Sequence, residues 1–194
     1  RGAISRQNPE PGSKVKKNRR ILLVINSVVP RQSTMPSLIG FSLRQARTEL
    51  VSNGLRIGRL IYVNDMATNN VLAQQLNGQD IEPGTRIDSG TGIDLVLGLN
   101  PADSTTFVPN VIGYRYMMAT ELLHDNSLNI WRSEFDSTVT TYADSLEAYV
   151  YGQYPPASDS VSVRRGQSVT LYLSKDISRI PVQEEETDST DAVL

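Results

Sequence analysis

Few residues in this sequence could carry out chemistry. It contains no cysteine and a single histidine, His124, which excludes disulfides, thiolate nucleophiles and multi-histidine metal sites. We interpret His124 as a residue in the last turn of a helix, where a protonated imidazole interacts favourably with the carbonyl end. A general-base role is the weaker alternative, because no serine or cysteine nucleophile motif accompanies the histidine.

Carboxylates offer a second route to chemistry, and the candidates lie in turns or on polar strand faces: Asp65, Asp80, Asp88 and Asp94. Paired carboxylates must converge in one cleft to act as an acid and a base, and small sheet units offer shallow surfaces. We therefore expect no catalytic residue, no metal site and no cofactor. The sequence is predicted not to be an enzyme.

Aromatic side chains are stronger candidates for ligand binding. Trp131, Tyr149 and Tyr151 are predicted to lie on neighbouring strands, with the two tyrosines on one face because side chains alternate along a strand. A glycan ring could stack on this surface, which makes the three residues the candidate ligand-binding site. The alternative is that the tyrosines add buried area to a small sheet and bind nothing.

Two short motifs suggest anion binding but have simpler interpretations. SGTGID, residues 89–94, has Gly-x-Gly spacing, yet it precedes a predicted strand instead of a helix, so we interpret it as a hairpin turn with positive φ. KVKKNRR, residues 14–20, could contact an anionic polymer. Solvated turn charges are the preferred interpretation, because the corresponding positions of the next copy are Asp88 and Ser89.

The overall charge and hydropathy limit the partners of this protein. Its net charge is -2 and its pI is near 5.5, which gives no general attraction to nucleic acid or to anionic lipid. The longest apolar run, ILLVI at residues 21–25, is much shorter than the roughly 18 residues that a membrane span needs. No signal-peptide pattern leads the sequence. We expect no nucleic-acid partner, and membrane association only through a segment outside this sequence.

Internal repeats organise the chain. PEPGSKVKKNRRILLVI at residues 9–25 recurs as IEPGTRIDSGTGIDLVL at 81–97 and, more divergently, as SVSVRRGQSVTLYL at 160–173. A second block, at residues 35–57, recurs at 108–130 with a constant spacing of 73. The first copy lacks this opening block, so we expect the sequence to begin inside a repeat, as part of a longer protein.

Each repeat reads as one helix packed on a three-stranded sheet. In the second repeat, Ser42 and Gln45 form a capping-box pattern and Gly54 is suited to end the helix, which predicts a helix at 43–53. Strands are predicted at 55–63, 71–76 and 93–97. In the third repeat the corresponding elements are a helix at 116–124 and strands at 128–132, 146–151 and 169–173. Arg115 replaces the capping serine there.

The predicted architecture is α+β, with small tandem units in an elongated array. Residues 1–27 are the C-terminal half of a repeat, 35–98 and 108–175 are full repeats, and residues 27–34 and 99–106 are semi-rigid spacers. The acidic residues 176–194 form a tail that we expect to be disordered.

The order of these blocks resembles the PASTA domain, which occurs outside the membrane in penicillin-binding proteins and bacterial serine/threonine kinases. In the second repeat the pattern is carried by Pro36, Leu38, Ile39, Gly40, Asn53, Gly54, Leu55, Val71, Gln74, Pro83 and Gly84. In the third repeat it is carried by Pro109, Val111, Ile112, Gly113, Leu128, Val150, Gln153 and Pro155. The opening segment matches through Gln7, Pro9, Pro11 and Gly12.

The resemblance implies a non-catalytic module in the periplasm or at the cell surface, anchored to the inner membrane by an upstream helix outside this sequence. Its implied ligand is peptidoglycan or its muropeptide fragments. The alternative is a spacer, or a stalk that docks envelope proteins, without affinity for glycan. The resemblance assigns no ligand contacts to individual residues of this sequence.

Overall fold

The structure, a computed structural model, describes residues 4–25 and 31–181. Its helices are α1 (Leu43–Ser52), α2 (Tyr116–Asp125) and α3 (Tyr142–Glu147). Its strands are β1 (Ile4–Asn8), β2 (Leu22–Ile25), β3 (Gln32–Thr34), β4 (Arg56–Asn64), β5 (Val71–Leu76), β6 (Gln79–Asp80), β7 (Arg86–Asp88), β8 (Gly92–Leu99), β9 (Thr105–Val108), β10 (Asn129–Phe135), β11 (Tyr149–Tyr154), β12 (Ser158–Arg164) and β13 (Ser168–Ser174). Nowhere in these two ranges does a helix combine the length and the apolar composition needed to cross a membrane.

Helix α1 begins and ends where the sequence predicts. The Gln45 N–H donates to Ser42 Oγ at 3.3 Å, and the Ser42 N–H donates to Gln45 Oε1 at 3.0 Å, which confirms the capping box. At the other end Gly54 has φ of +71°, a conformation that glycine adopts without steric cost. Leu43, Ala46 and Leu50 form the buried face of the helix.

The second repeat packs α1 on a sheet with the strand order β4-β8-β5-β6. Strand β8 is central, parallel to β4 and antiparallel to β5. Its alternate residues Ile93, Leu95 and Leu97 are fully buried. The three predicted strands are present, and the two-residue β6 adds a fourth at the edge because residues 77 and 78 reverse the chain with positive φ. A separate pair, β3 with β7, completes this repeat.

The third repeat has the same plan, with the order β10-β13-β11 and helix α2. As the sequence predicts, α2 lacks a side-chain cap: Arg115 occupies the N-cap position and its side chain makes no capping hydrogen bond. Strand β9 pairs with β12 beside the main sheet, as β3 pairs with β7 in the second repeat. The predicted spacer at 99–106 therefore ends in a strand of the third repeat, and it also contains the 3₁₀ helix Pro101–Asp103. Residues 27–30 of the other predicted spacer lie outside the described residues.

Helix α3 corrects the prediction of a strand at residues 146–151. Thr141 and Asp144 form a capping box: the Asp144 N–H donates to Thr141 Oγ1 at 3.1 Å, and the Thr141 N–H donates to Asp144 Oδ2 at 2.9 Å. The capped turn holds Leu146 in the helix, and β11 begins only at Tyr149.

The expectation of a disordered tail from residue 176 onwards is wrong at its beginning. Asp176 caps the 3₁₀ helix Ile177–Arg179, and Arg179 Nη1 lies 2.6 Å from Asp136 Oδ2. These contacts fix the start of the tail to the third repeat. Residues 182–194 of the predicted tail lie outside the described residues.

Each repeat has its own hydrophobic core. The core of the second repeat is drawn from residues 35–97, and that of the third from residues 108–173. The two opening blocks, beginning at Met35 and Val108, thus fold alike and separately. This confirms the prediction of serial α+β units.

Candidate functional site

Trp131 lies on the outer strand β10 and is 78% exposed. The pairing of β10 with β13 runs from Ile130 opposite Val169 directly to Arg132 opposite Thr170, so Trp131 occupies a β-bulge. A bulge leaves one residue without a partner and turns its side chain away from the regular alternation. The preceding residue, Ile130, packs against the core of the third repeat, so Trp131 lies on the solvent side of this edge strand.

Trp131 lines one end of a groove between the second and third repeats. Arg56, Ile57, Tyr116, Thr120 and His124 form the floor and walls of this inter-repeat groove, and two cavities of about 280 and 200 Å³ share these five residues. The larger cavity extends to Trp131 and Arg132. The smaller one extends between α1 and α2 to the exposed apolar side chains of Val51 and Met117.

The inter-repeat groove carries more positive than negative side chains. Arg56 lies in the wall of the groove, and its Nε donates to the Gly90 carbonyl at 2.7 Å. Arg47 and Arg132 lie at the two ends of the groove. Glu121 is the carboxylate among the lining residues. Arg47 is paired with Asp125 at 2.9 Å and Arg132 with Glu134 at 3.5 Å, so Arg56 is the groove arginine best placed to bind an added carboxylate.

His124 is only 5% exposed and lies in the last turn of α2, as the sequence predicts. Its charge state differs from the expectation, because burial together with the nearby guanidinium groups of Arg47 and Arg56 lowers its pKa to about 4. The imidazole is therefore neutral at neutral pH. It contributes packing to the groove, and the expected attraction between an imidazolium and the helix end does not operate there.

Tyr149 and Tyr151 do not join Trp131 in this groove. The prediction that all three lie on neighbouring strands is wrong, since β13 separates β10 from β11. Each tyrosine ring instead has a cationic partner: the Arg115 guanidinium carbon lies 5.5 Å from the ring centre of Tyr149, and that of Arg179 lies 4.0 Å from Tyr151. The ring of Tyr151 also lies 6.2 Å from that of Tyr172.

The orientation of the two groove walls depends on Asn129. A two-residue bulge in β4, at positions 58 and 59, interrupts the ladder with β8 just before Leu60. The Leu60 N–H donates to Asn129 Oδ1 at 2.8 Å, and Asn129 Nδ2 donates to the Leu60 carbonyl at 2.9 Å. The same Nδ2 donates to the Gly166 carbonyl at 2.8 Å. One side-chain amide thus joins a strand of one repeat to two segments of the other.

A second polar cluster supports this joint. Ser127 is fully buried, and its hydroxyl accepts from Asn69 Nδ2 at 3.1 Å and from Arg165 Nη1 at 3.0 Å. Arg165 in turn bonds both the carboxylate and the backbone carbonyl of Asp103, at 2.7 and 2.9 Å. The hydrogen bond from Arg165 lowers the pKa of Asp103. Arg47 and Asp125, 2.9 Å apart, add an ion pair across the joint.

The remaining candidate residues have local structural roles. Asp94 accepts the Arg59 N–H at 2.7 Å and its guanidinium at 2.8 Å, and Asp65 and Asp80 bond to neighbours within their own turns. Within residues 4–25 and 31–181, no group of three or more His, Cys, Asp or Glu residues is placed to hold a metal ion. The side chains of residues 14–20 are exposed, as expected of solvated turn charges.

The Gly-x-Gly motif forms a turn, although it is not a hairpin. Gly90 has φ of +80°, which confirms the predicted positive φ. The strands on either side, β7 and β8, belong to different sheets, because β7 pairs with β3 while β8 pairs with β4 and β5. The turn therefore transfers the chain between two sheets.

Comparison with known protein families matches the PASTA domain to residues 33–99 and again to residues 106–175. The two matches together cover more than half of the chain. The chain belongs to the PASTA domain family. PASTA domains are non-catalytic modules, and those of kinases and penicillin-binding proteins are generally extracellular sensor modules.

One similar protein is a probable serine/threonine-protein kinase of Clostridium acetobutylicum, which is 28% identical over 144 residues. The aligned region covers 73% of this PASTA chain and 20% of the kinase. The chain therefore spans about a fifth of the length of that relative.

Solved PASTA structures are also similar to this chain. The three-PASTA-domain region of a Ser/Thr kinase from Staphylococcus aureus matches with 21% identity and a TM-score of 0.34, covering 89% of this chain and 79% of that one. The entire extracellular region of a Ser/Thr kinase from the same species matches with 19% identity and a TM-score of 0.29, covering 73% and 46%. Penicillin-binding protein 2X from Streptococcus thermophilus matches with 11% identity and a TM-score of 0.31, covering 74% and 17%.

The sequence predicts Trp131 as a candidate residue but does not predict the groove beside it. The groove forms where two repeats meet, and a pattern that repeats along the chain contains no information on how the units pack. The sequence does indicate the contact between repeats at the turn after each helix, where the third repeat has Ser127 and the second has Gly54. A polar side chain at a position suited to glycine indicates that the side chain has a partner.

Proposed function

We propose that the second and third repeats form a non-catalytic module that binds fragments of cell-wall peptidoglycan in the inter-repeat groove. The observation that carries the proposal is the exposure of Trp131 at the end of that groove. Tryptophan is buried on average in soluble domains, and an exposed indole beside a concave surface is typical of a binding site. A sugar ring stacked on the indole would bury the apolar faces of both.

The charges around the groove support a ligand that carries carboxylates. Peptidoglycan fragments consist of amino sugars joined to short peptides, and these peptides end in carboxylates. With a sugar on Trp131, such a peptide would run along the groove past Arg56. Guanidinium groups bind carboxylates through paired hydrogen bonds, which suits this arrangement.

Tyr149 and Tyr151 form a second and weaker part of the proposed site. Both rings are only partly exposed, and each already contacts an arginine. A glycan would have to compete with Arg179 for the covered face of Tyr151. We therefore propose that Trp131 contributes most of the stacking energy and that the tyrosines contribute less.

The alternative function is a spacer, or a stalk that docks envelope proteins, without affinity for glycan. The bonds of Asn129 to both repeats support this alternative, because a fixed joint transmits the position of one repeat to the next. A fixed joint also preserves the shape of a groove between repeats. Both functions therefore require the fixed joint, and they differ in whether the groove binds a ligand.

We place the module outside the cytoplasm, in the periplasm or at the cell surface, with other envelope proteins as further candidate partners. Its attachment to the inner membrane would come from a spanning helix upstream in the complete protein. Family membership supports this location, since PASTA domains of kinases and penicillin-binding proteins are generally extracellular.

Retention of the chain on purified sacculi tests the proposal. The unaltered chain should be retained, and Trp131→Ala should weaken retention by roughly tenfold, the usual effect of losing an aromatic anchor. Tyr151→Ala should weaken it by less. The matched control is Tyr142→Ala, which removes an 80% exposed aromatic side chain from α3 and should leave retention unchanged.

Two outcomes would contradict the proposal. If the unaltered chain is not retained on sacculi, the proposed glycan binding is wrong and the spacer function remains. Equal losses for Trp131→Ala and Tyr142→Ala would show that exposed aromatic residues adhere to sacculi without using the groove. Circular dichroism of each variant verifies that its fold is intact, so a lost interaction is not confused with unfolding.

A further inference from the structure

We propose that the outer edge of β10 is a dimer interface, at which the same strand of a second copy of this chain pairs antiparallel to it about Ser133. This pairing would join the three-stranded sheets of two third repeats into one six-stranded sheet. The inference goes beyond the proposed function and does not rest on glycan binding. It comes from the direction of the backbone groups along β10 and from the charges on either side of Ser133.

The outer edge of β10 is open. Strand β10 stands first in the order β10-β13-β11, and within residues 4–25 and 31–181 it pairs with β13 alone. The opposite edge of the sheet is partly covered, because Tyr149 at the start of β11 forms a bridge with Arg115 and residues 177–179 lie against β11. An open edge offers a row of backbone donors and acceptors to another strand.

Ser133 directs its backbone groups towards this open edge. The Asp136 N–H donates to the carbonyl of Leu173 in β13 at 3.0 Å. Backbone groups alternate in direction along a strand, so residues 132 and 134 also direct theirs towards β13. The N–H and the carbonyl of Ser133, which lies between them, therefore both point outwards.

The second repeat shows that an outward pair at this position binds an amide. The equivalent of Ser133 is Leu60, which lies 73 residues earlier and faces the same point of its central strand. The N–H and the carbonyl of Leu60 both bond the side-chain amide of Asn129, at 2.8 and 2.9 Å. Among the described residues nothing bonds the N–H and carbonyl of Ser133, so they can exchange hydrogen bonds with a second strand.

The charges beside Ser133 select a second copy of β10 as the partner. Arg132 and Glu134 flank Ser133, and their side chains are 69% and 43% exposed. In an antiparallel pair centred on Ser133, each Arg132 lies opposite Glu134 of the second copy. These are non-hydrogen-bonded positions, where side chains lie closest and opposite charges attract. A parallel pairing in register would instead place like charges side by side.

Two exposed aromatic side chains lie at the ends of the proposed contact. Trp131 is 78% exposed and Phe135 is 39% exposed, and antiparallel pairing brings Phe135 of the second copy close to Trp131. A contact through residues 131–135 is much smaller than the roughly 20 to 30 residues on each side of a standard interface. We therefore expect a weak, reversible dimer that forms at micromolar or higher concentrations.

Charged residues on an edge strand can also serve to prevent pairing, which is the alternative explanation. The contact of 3.5 Å between Arg132 and Glu134 would then be a surface ion pair, and the chain would stay monomeric. A strand of another protein could bind the same edge if its charges ran in the reverse order. A second β10 in the antiparallel direction already provides that order, which favours the second copy.

Sedimentation equilibrium of the unaltered chain measures the dimer, and amide hydrogen exchange locates it. We expect exchange at Ser133 to slow at least about tenfold between micromolar and millimolar protein. Arg132→Glu and Glu134→Arg each place like charges opposite each other and should weaken the dimer by about tenfold or more. The control is Asp159→Arg, which reverses an exposed charge on β12 and should leave the dimer unchanged.

Exchanging the two charges separates strand pairing from a change in folding or net charge. The double variant Arg132→Glu/Glu134→Arg restores opposite charges across the contact and should dimerise like the unaltered chain. A mixture of the two single variants should also recover dimers, because the edge of one is then acidic and that of the other basic. The inference is overturned if the unaltered chain stays monomeric at millimolar concentration. It is also overturned if the double variant does not recover, or if exchange at Ser133 is independent of concentration.

Discussion

At the turn that ends α2, Ser127 occupies the position that Gly54 occupies after α1. Its φ is +61°, in the left-handed region, where a residue other than glycine is strained by about 1 kcal/mol. The hydroxyl compensates for that strain by bonding Asn69 and Arg165 at the joint between repeats. The backbone conformation at this position favours glycine, whereas the hydrogen bonds formed there favour serine.

We predict that Ser127→Ala destabilises the third repeat by about 2 kcal/mol, because it keeps the strain and loses buried hydrogen bonds. Ser127→Gly should cost about 1 kcal/mol less, since it loses the same bonds but relieves the backbone. Urea unfolding followed by the fluorescence of Trp131 measures both, because this is the only tryptophan in the sequence. An alanine variant as stable as the glycine variant would contradict this explanation.

His124 gives the third repeat a dependence on pH. Its pKa is lowered from 6.5 to about 4 in the folded chain, so between these values the unfolded chain binds a proton that the folded chain does not. The free energy of unfolding should therefore fall as the pH drops from 6.5 towards 4, by roughly 3 kcal/mol at most.

Urea unfolding at several pH values between 4.5 and 7 checks this prediction. His124→Leu should flatten the profile in that interval. The aspartates whose pKa values are lowered, such as Asp136 with its hydrogen bonds from Thr138, lose their contribution only at lower pH. A profile that is equally steep in the His124→Leu variant would assign the dependence to other groups.

At the scale of secondary structure, bulges interrupt both strands that line the groove. The bulge in β4 exposes the N–H and the carbonyl of Leu60 to Asn129, and the bulge in β10 leaves Trp131 without a partner in the ladder. Neither bulge could be predicted from alternation, because alternation assumes an uninterrupted ladder. The order of the strands in the sheet could not be predicted from the sequence either. This is why Trp131 was wrongly predicted to lie on a strand next to that of Tyr149.

Local signals, in contrast, predicted the helices well. The capping box of Ser42 and Gln45 fixed the start of α1, and Gly54 fixed its end. The same kind of signal lies at Thr141 and Asp144, but the second repeat has no corresponding helix, so the repeated pattern does not predict α3. Repeat alignment thus predicts the shared elements and hides those found in one copy.

We predict that Asn129→Ala loosens the joint between the repeats. It leaves the Leu60 N–H and two carbonyls without their partner, which costs about 1–3 kcal/mol at each buried group that water cannot reach. Amide exchange at Leu60 should accelerate at least about tenfold, while exchange at Leu95 and Leu171 in the two cores stays unchanged.

Asn64→Ala is the matched control, since Asn64 is an exposed asparagine at the end of β4, the strand that contains Leu60. It should leave exchange at Leu60 unchanged. Equal exchange at Leu60 in the unaltered chain and in Asn129→Ala would show that the two repeats are held together by other contacts.

At the scale of the whole molecule, the protein is a series of small units with separate cores and a polar joint. The second and third repeats meet through Asn129, Ser127 and Arg165 instead of through a shared hydrophobic core. Separate cores explain why repetition in the sequence predicts the fold so well. The polar joint explains why the groove, which belongs to no single repeat, could not be read from the repeated pattern.

The most direct test of the account is a fluorescence titration of the unaltered chain with a soluble disaccharide-peptide from peptidoglycan. Trp131 is the only tryptophan, so its emission reports the proposed site without a label. We predict a saturable change in emission that Arg56→Ala weakens and Tyr142→Ala leaves unchanged. Emission that stays constant up to millimolar ligand, or that responds equally in both variants, would contradict a binding site in the groove between the repeats.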